Sequence, residues 1–420
     1  MSGSVGFRGL ESVFSTLKEW FTSLATPVYG TIRQWISKLG LFKLERPKVP
    51  SEAWFLVIDT SIQMGQQKFV LVLGVRQEQL TNGFCPTHAQ MEPIVLRPLE
   101  SCPGDIICDV LQEARTKVGI PLAIVSDSAG ELRRGVSLFC ESLAAEKVPE
   151  QGVPVHLHDI SHRVDTCLKH ELESDLTWNH FKKQATEVMQ QVKLSPISHL
   201  APPRQRAKAR MHASHSLIHW GIKMIRYLES DADRLPPEQR KKIAWILEYR
   251  DVLKTYDCLV ELCRTALNKV HEKGYYNTVA ADFIAATASV CSLNPRHLQF
   301  QKKVKSILEE EGSKVPEGQH YLGSSEVIES VFGKFKAMED HHASSGITSL
   351  IMALPAIVGE TSIEAVAMAM SSVTVDDLRY WVSTNMGPTF MSQRRRDLGA
   401  DAENQDCVEV TPMDLDPCVL

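Results

Sequence analysis

Three acidic residues stand where a two-metal centre would need them. Asp59 closes the apolar run AWFLVID at 53 to 59, Asp127 closes PLAIVSD at 121 to 127, and Glu329 lies in SSEVIESVFGKFKAME at 324 to 339. Three carboxylates brought together can hold two Mg²⁺ ions, or Mn²⁺ in their place, about 4 Å apart. Such a pair aligns an attacking water or 3′-hydroxyl on phosphorus and stabilises the leaving oxygen. Lys336 follows Glu329 by two helical turns on the same face, where its ammonium can reach a neighbouring phosphate. Glu326 is the other acid this helix offers, and Glu329 is the one chosen here. The chain has no convincing Ser/His/Asp or Cys/His set, and two-metal chemistry requires none.

Each acid also has an ordinary reading. Asp59 before Thr60 and Ser61, and Asp127 before Ser128, Ala129 and Gly130, suit turn residues, while Glu326 and Glu329 suit solvated helix charges. The force lies in their joint placement, which depends on the elements that carry them. Strand-like runs occupy 53 to 59, 68 to 76 (KFVLVLGVR) and 93 to 99 (PIVLRPL), predicting an antiparallel meander. A helix from Asp105 to about Lys117, the strand 121 to 127, a helix near 131 to 144 and the strand 153 to 159 follow. Three strands, helix, strand, helix, strand is the order of the ribonuclease-H-like fold, an α/β class with a mixed five-stranded sheet. In that topology the first and fourth strands are neighbours, so the carboxylates of Asp59 and Asp127 meet.

Beyond Asp159 the strands stop and a long helical insertion begins, with helices expected at 214 to 229 and 237 to 271. Its tryptophans Trp178, Trp220 and Trp245 read as core, with stacking on a flipped base as the alternative. The helix from Ser324 has a serine cap and buries Val327, Ile328, Val331, Phe332 and Phe335. Thr374 to Asp377 makes a second capping box within a helical C-terminal region.

The opening segment reads as helices, in a helix-turn-helix-like arrangement suited to DNA. Thr26 and Pro27 cap a helix that turns Ile32, Trp35, Ile36 and Leu39 inward and Arg33, Gln34 and Lys38 outward and stops at Gly40; Lys43 to Pro50 reads as a linker. A purely structural helical cap would look the same. In the insertion, Arg204, Arg206, Lys208 and Arg210 follow two prolines as a basic arm for phosphate contact.

The formal net charge of −5 argues against a nucleic-acid enzyme only until it is placed along the chain. Asp397, Asp401, Glu403, Asp406, Glu409, Asp414 and Asp416 crowd a tail that has no lysine or arginine beyond Arg396, so the remainder is net basic. That tail is expected to be disordered. The ten cysteines form no CxxC pair and no regular framework, so neither a zinc ribbon nor a secreted disulfide scaffold is implied, and Cys85 with His88 lacks a second ligand pair. With no apolar run of the roughly 18 residues that a span needs, and charged residues near the N-terminus, an intracellular protein is expected.

The stretches DTSIQMGQQKFVLVLGVR (59 to 76), AIVSDSAGEL (123 to 132), HDISHRV (158 to 164) with LKHEL and Trp178, PPRQRAKAR (202 to 210) and SSEVIESVFGKFK (324 to 336) resemble bacterial insertion-sequence transposases of the DDE class, from about residue 26 to 390. The resemblance implies that Asp59, Asp127 and Glu329 ligate the metals and that Lys336 contacts DNA. The chain departs from many relatives in having Ser325 where they carry arginine, and Leu322, beside Tyr321, where they carry tyrosine. A helical insertion resembles the hAT-like families, whose Cys or Asp with a His just after this strand matches Asp159 and His162, read as supporting or DNA-positioning residues or else as structural residues of the strand end; Glu326 is a further supporting candidate.

The implied activity is metal-dependent cleavage at transposon ends and strand transfer into target DNA. Its partners would be double-stranded DNA, as terminal inverted repeats and target, and further copies of the chain in a dimer or larger assembly. The implied location is the bacterial cytoplasm, on the nucleoid when bound. The alternatives are a structure-specific ribonuclease-H-like nuclease, or a retired transposase that binds DNA without cutting it. The expected organisation is an N-terminal DNA-binding region and linker at 1 to 50 and a first core segment at 51 to 165. The helical insertion at 166 to 318 follows, then a core-closing helix at 319 to 345, a C-terminal helical region at 346 to 392 and the acidic tail at 393 to 420.

Overall fold

The computed structural model describes residues 6–49, 53–62, 68–146, 152–204, 210–230, 235–290, 294–339, 348–387 and 396. They form two compact units, one of residues 1–159 and 324–420 and one of residues 160–323. In the first unit, helices α1 (Phe7–Trp20) and α2 (Tyr29–Glu45) precede strands β1 (Trp54–Ile62), β2 (Lys68–Arg76) and β3 (Glu92–Leu99). Helix α3 (Gly104–Val118), strand β4 (Ala123–Ser126), helix α4 (Gly130–Ala145) and strand β5 (Val155–His158) complete the sheet segment. The second unit contains α5 (Ile160–Glu173), α6 (Leu176–Val192), α7 (Arg210–Ser230), α8 (Pro237–Ala244), α9 (Arg250–Lys273), α10 (Val279–Thr287) and α11 (Pro295–Gly312). The chain then returns to the first unit as α12 (Glu326–Glu339), α13 (Ala353–Ile357), α14 (Ile363–Ser372) and α15 (Val375–Asn385).

The sheet order is β3-β2-β1-β4-β5, with β1, β2 and β3 antiparallel and β4 and β5 running parallel to β1. This is the ribonuclease-H-like topology expected from the order of apolar runs. Trp54, Leu56 and Ile58 of β1 join Ile107 and Val110 of α3 and Val136 and Phe139 of α4 in one buried cluster. Successive strand residues alternate faces, so Phe55, Val57, Asp59 and Ser61 look the other way. On that face Phe69 of β2, opposite Ser61 in the register, meets Phe332 and Phe335 of α12 edge-on, at centroid separations of 5.3 and 6.0 Å. Thr374 and Asp377 cap α15 reciprocally, as their spacing predicts.

The N-terminal helices differ from expectation in three ways. Helix α2 starts after Val28, not at Pro27, and runs through Gly40 to Glu45. Trp35 is 41% exposed, so only part of the predicted inward face is buried. Gly40 is no helix stop: a Cβ placed there would lie 1.9 Å from the carbonyl oxygen of Met352, so glycine permits a close backbone approach. Gly40→Ala should therefore destabilise the fold by about 3 kcal/mol, the upper end of ordinary overpacking. A urea midpoint unchanged from the wild type would refute that reading.

Lys43 is the largest local correction, since the expected linker residue is inside α2 and fully buried. Its ammonium donates to the carbonyls of Ala356 (3.3 Å), Val358 (2.7 Å) and Gly359 (3.0 Å) and to Thr361 Oγ1 (2.7 Å). Burial, then the nearby Arg46 charge, lower its pKa to about 8, which leaves it protonated at neutral pH. Arg46 in turn grips both carboxylate oxygens of Glu92, at 2.7 and 2.8 Å. Among the described residues no helix is long and apolar enough to cross a membrane.

Candidate catalytic site

The site begins where the ladder between β1 and β4 stops. Their last register pair is Ile58 with Ser126, while β1 continues to pair with β2 as far as Ile62 opposite Lys68. Asp59 is thus the first residue of β1 beyond the β4 ladder, and Asp127 is the first residue beyond β4. Asp59 does not end its strand, as the sequence suggested, because hydrogen bonding to β2 carries β1 three residues further.

Asp127 is fixed by a local turn in which its Oδ1 accepts the amide of Ala129 at 2.9 Å. Asp59 is partly buried, and its Oδ1 accepts the amide of Thr60 at 2.6 Å. Its carboxyl is pushed up to about 7, chiefly by burial, with the charges of Asp127 and Glu329 adding to the rise. The Thr60 amide and the Lys336 ammonium act against it. A carboxyl held up by burial and by neighbouring carboxylates favours either a proton or a cation.

Glu329 is exposed in the first turn of α12, and Lys336 is exposed two turns later on that helix. Glu326 opens α12 with its amide donating to Ser324 Oγ at 3.3 Å, so the predicted serine cap is present although the helix starts two residues later. The charge of Glu326 acts on Cys85, whereas that of Glu329 acts on Asp59. Helix α12 therefore brings Glu329 and Lys336, four and eleven residues after Ser325, within electrostatic reach of β1.

Asp159 braces this arrangement. It is fully buried; its amide donates to Ser126 O at 3.0 Å, and its Oδ1 accepts the amide of Ser325 at 2.7 Å. One residue thus ties the strand that precedes Asp127 to the start of the helix that bears Glu329. Were this cluster to cleave phosphodiesters, Asp159→Ala would be expected to lower the rate by about 10- to 100-fold, the usual cost of losing a supporting contact. Asp159→Asn keeps the acceptor and should recover most of the rate. Equal loss in both variants would show that the charge, and not the brace, is what matters.

The other predicted residues are distributed over both units. His162 is exposed on α5 in the second unit, with its carbonyl accepting Thr166 Oγ1 at 2.8 Å. Arg33 is not simply outward, because its Nη2 donates to Ser349 Oγ at 2.9 Å, and the charge of Lys38, which is partly buried, acts on Asp377. Arg204 is exposed; Arg206 and Lys208 lie outside the described residues, as does the side chain of Arg210, whose backbone opens α7. The acidic tail also lies outside them. His88 Nδ1 sits 3.1 Å from Lys334 Nζ.

The insertion's tryptophans are packing residues. Trp178 is buried against Phe181 and Tyr256, with centroids 5.4 Å away in each case, and Trp245 lies 5.7 Å from Phe181 and 6.4 Å from Trp220. Trp220 Nε1 donates to Leu200 O at 3.1 Å. The Thr60 amide and the bond from Ser325 to Asp159 escaped the sequence reading. Both are main-chain donors, which no residue type marks.

No family model matches the chain, and no curated protein sequence matches it. Among solved structures it is similar to the one described as the Drosophila P element transposase strand transfer complex. The sequence identity is 13% and the TM-score 0.45, over 87% of this chain and 93% of that one.

Proposed function

We propose that this chain is a DNA transposase that cuts at the ends of a mobile element and joins them to target DNA. The reading rests on one observation: Asp127, Glu329 and Lys336 all act on Asp59 at the open end of the central strands of a ribonuclease-H-like sheet. Three convergent carboxylates suit hard divalent cations, and a proton held on Asp59 near neutrality marks charge that a cation would relieve. Asp59, Asp127 and Glu329 would hold two Mg²⁺ or Mn²⁺ ions. When bound, these would activate a water or a 3′-hydroxyl for in-line attack and stabilise the departing oxygen.

The chain's own groups do the rest. The Thr60 and Ala129 amides orient the two aspartates, and the Asp159 brace sets the start of α12 and with it Glu329. Lys336 places a positive charge beside the carboxylates, where a backbone phosphate would bind. Two element ends must be joined, so the reading includes self-association into a dimer or larger assembly on terminal repeats. The class of insertion-sequence element is part of the same reading and is supported by the motif resemblance at 59 to 76, 123 to 132 and 324 to 336.

The test is cleavage of a labelled duplex carrying the ends that flank this gene, in Mg²⁺ or Mn²⁺, with wild type, Asp59→Ala and Glu329→Ala. Boundary cuts that vanish in both variants are expected. Binding of the ends without cleavage by the wild type would instead identify a retired, DNA-binding descendant.

A further inference from the structure

Outside the catalytic cluster, helix α7 of the second unit carries two exposed cations, Lys223 and Arg226, within a stretch of sequence that has no acid. Residues 201 to 228 contain Arg204, Arg206, Lys208, Arg210, Lys223 and Arg226 and no aspartate or glutamate. Helix α7 buries Leu217, Ile218, Met224, Ile225 and Leu228. Gly221 lets it sit close to α9, since a Cβ there would lie 2.9 Å from Leu253 Cδ1. The opposite side presents His219, Lys223 and Arg226, all exposed, at steps of four and three residues that keep them on one face.

Neither Lys223 nor Arg226 makes an ion pair among the described residues, although many other surface cations of this unit do. Arg250 pairs with Glu229, Lys169 with Glu173, Lys303 with Glu171 and Lys305 with Glu309. A cavity of about 230 Å³ runs beside these cations along α9, where Arg264 pairs with Glu261 and Asp257 is the remaining acid. On α7 itself this face carries no acid; across the cavity α9 offers Asp257 and Glu261, and neither forms an ion pair with Lys223 or Arg226 among the described residues, which leaves water or a ligand to supply their counter-charge.

We propose that the exposed face of α7, through His219, Lys223 and Arg226, binds the phosphate backbone of duplex DNA. The inference rests on the DNA reading above and adds a contact surface separate from the carboxylates. The array favours a polyanion over a single bound anion. From His219 to Arg226 the helix rises about 10 Å, a distance over which one strand of DNA presents about three phosphates. Because the contacts are to phosphate, they carry affinity and not sequence preference.

The salt dependence of binding gives a direct count of such contacts. Full-length protein would be titrated with a duplex of arbitrary sequence in EDTA across a series of KCl concentrations. The proteins compared are wild type, Lys223→Ala/Arg226→Ala, and a control, Lys182→Ala/Lys183→Ala, which removes the same charge from exposed positions of α6. Each lost phosphate contact reduces the slope of log affinity against log salt by about 0.9. The α7 variant should therefore lose about 1.8 in slope, with the control unchanged and the swap Lys223→Arg/Arg226→Lys retaining the wild-type slope.

An unchanged slope in the α7 variant would overturn the proposal, as would an equal loss in the control or no binding by the wild type. Circular dichroism of each variant separates lost contacts from lost folding. The titration needs no catalytic centre. Absent cleavage in Mg²⁺ with the expected slope change would sink the catalytic reading alone, and intact cleavage with an unchanged slope would sink only this one.

Discussion

An Asp59→Asn variant should lose at least about 10³-fold in metal-dependent DNA cleavage, equivalent to roughly 4 kcal/mol of transition-state stabilisation, while becoming more stable than the wild type in EDTA at pH 8. The two effects have one origin. Burial first, with the charges of Asp127 and Glu329, raises the folded-state pKa of Asp59 to about 7 from an ordinary value of 3.8. As pH rises from that lower value to about 7, the unfolded chain releases its proton before the folded chain does, so stability falls across this window and stays low above it. The deficit at pH 8 is of the order of 2 to 4 kcal/mol. Asparagine keeps the acceptor for the Thr60 amide but has no proton to lose, so this part of the pH dependence should disappear. Thermal melts of both proteins at pH 5 and pH 8 in EDTA check the sign. Equal pH dependence in the two would show that Asp59 is an ordinary surface carboxylate. Added Mn²⁺ should stabilise the wild type more at pH 8 than at pH 6, because cation and proton compete for the same oxygens.

Lys43→Met should destabilise the protein by about 3 to 5 kcal/mol, the range for removing one partner from a buried charged network. Methionine fills much the same volume, so the loss would come from polarity and not from a cavity. Three carbonyls and the Thr361 hydroxyl would be left without their donor, and buried acceptors in that state cost about 1 to 3 kcal/mol each before relaxation. Hydrogen exchange would read the consequence locally, as lost protection in α2 and around residues 356 to 361. A melting temperature within a degree of the wild type would mean that water replaces the ammonium and that the cage contributes little. Since Lys43 lies apart from the carboxylates, the metal-dependent cleavage of whatever fraction remains folded should be unaffected.

Much of the first unit was legible in the sequence because its signals are local. The continuous apolar run in KFVLVLGVR, the shorter one in PLAIVSD and the amphipathic spacing around Val331 and Phe335 each specify an element from neighbours a few residues away. Their order leaves few sheet topologies, and the ribonuclease-H-like one is observed. The N-terminal helices were less legible. Gly40 has the composition of a helix stop, but its role is set by Met352, more than three hundred residues later. Lys43 resembles a linker cation until the carbonyls at 356 to 359 surround it.

By itself, then, the sequence determined the order of strands and helices, the long helical insertion, and the short list of acids from which a metal site would be built. Only the tertiary structure decided that the charge of Glu329 acts on Asp59, that Asp159 ties Ser126 to Ser325, and that His219, Lys223 and Arg226 are all exposed on α7. The division follows from the range of the forces. Backbone preference and apolar periodicity act over a few residues and are written in them. Desolvation, charge coupling and close backbone approach act between segments that meet only after the chain has folded.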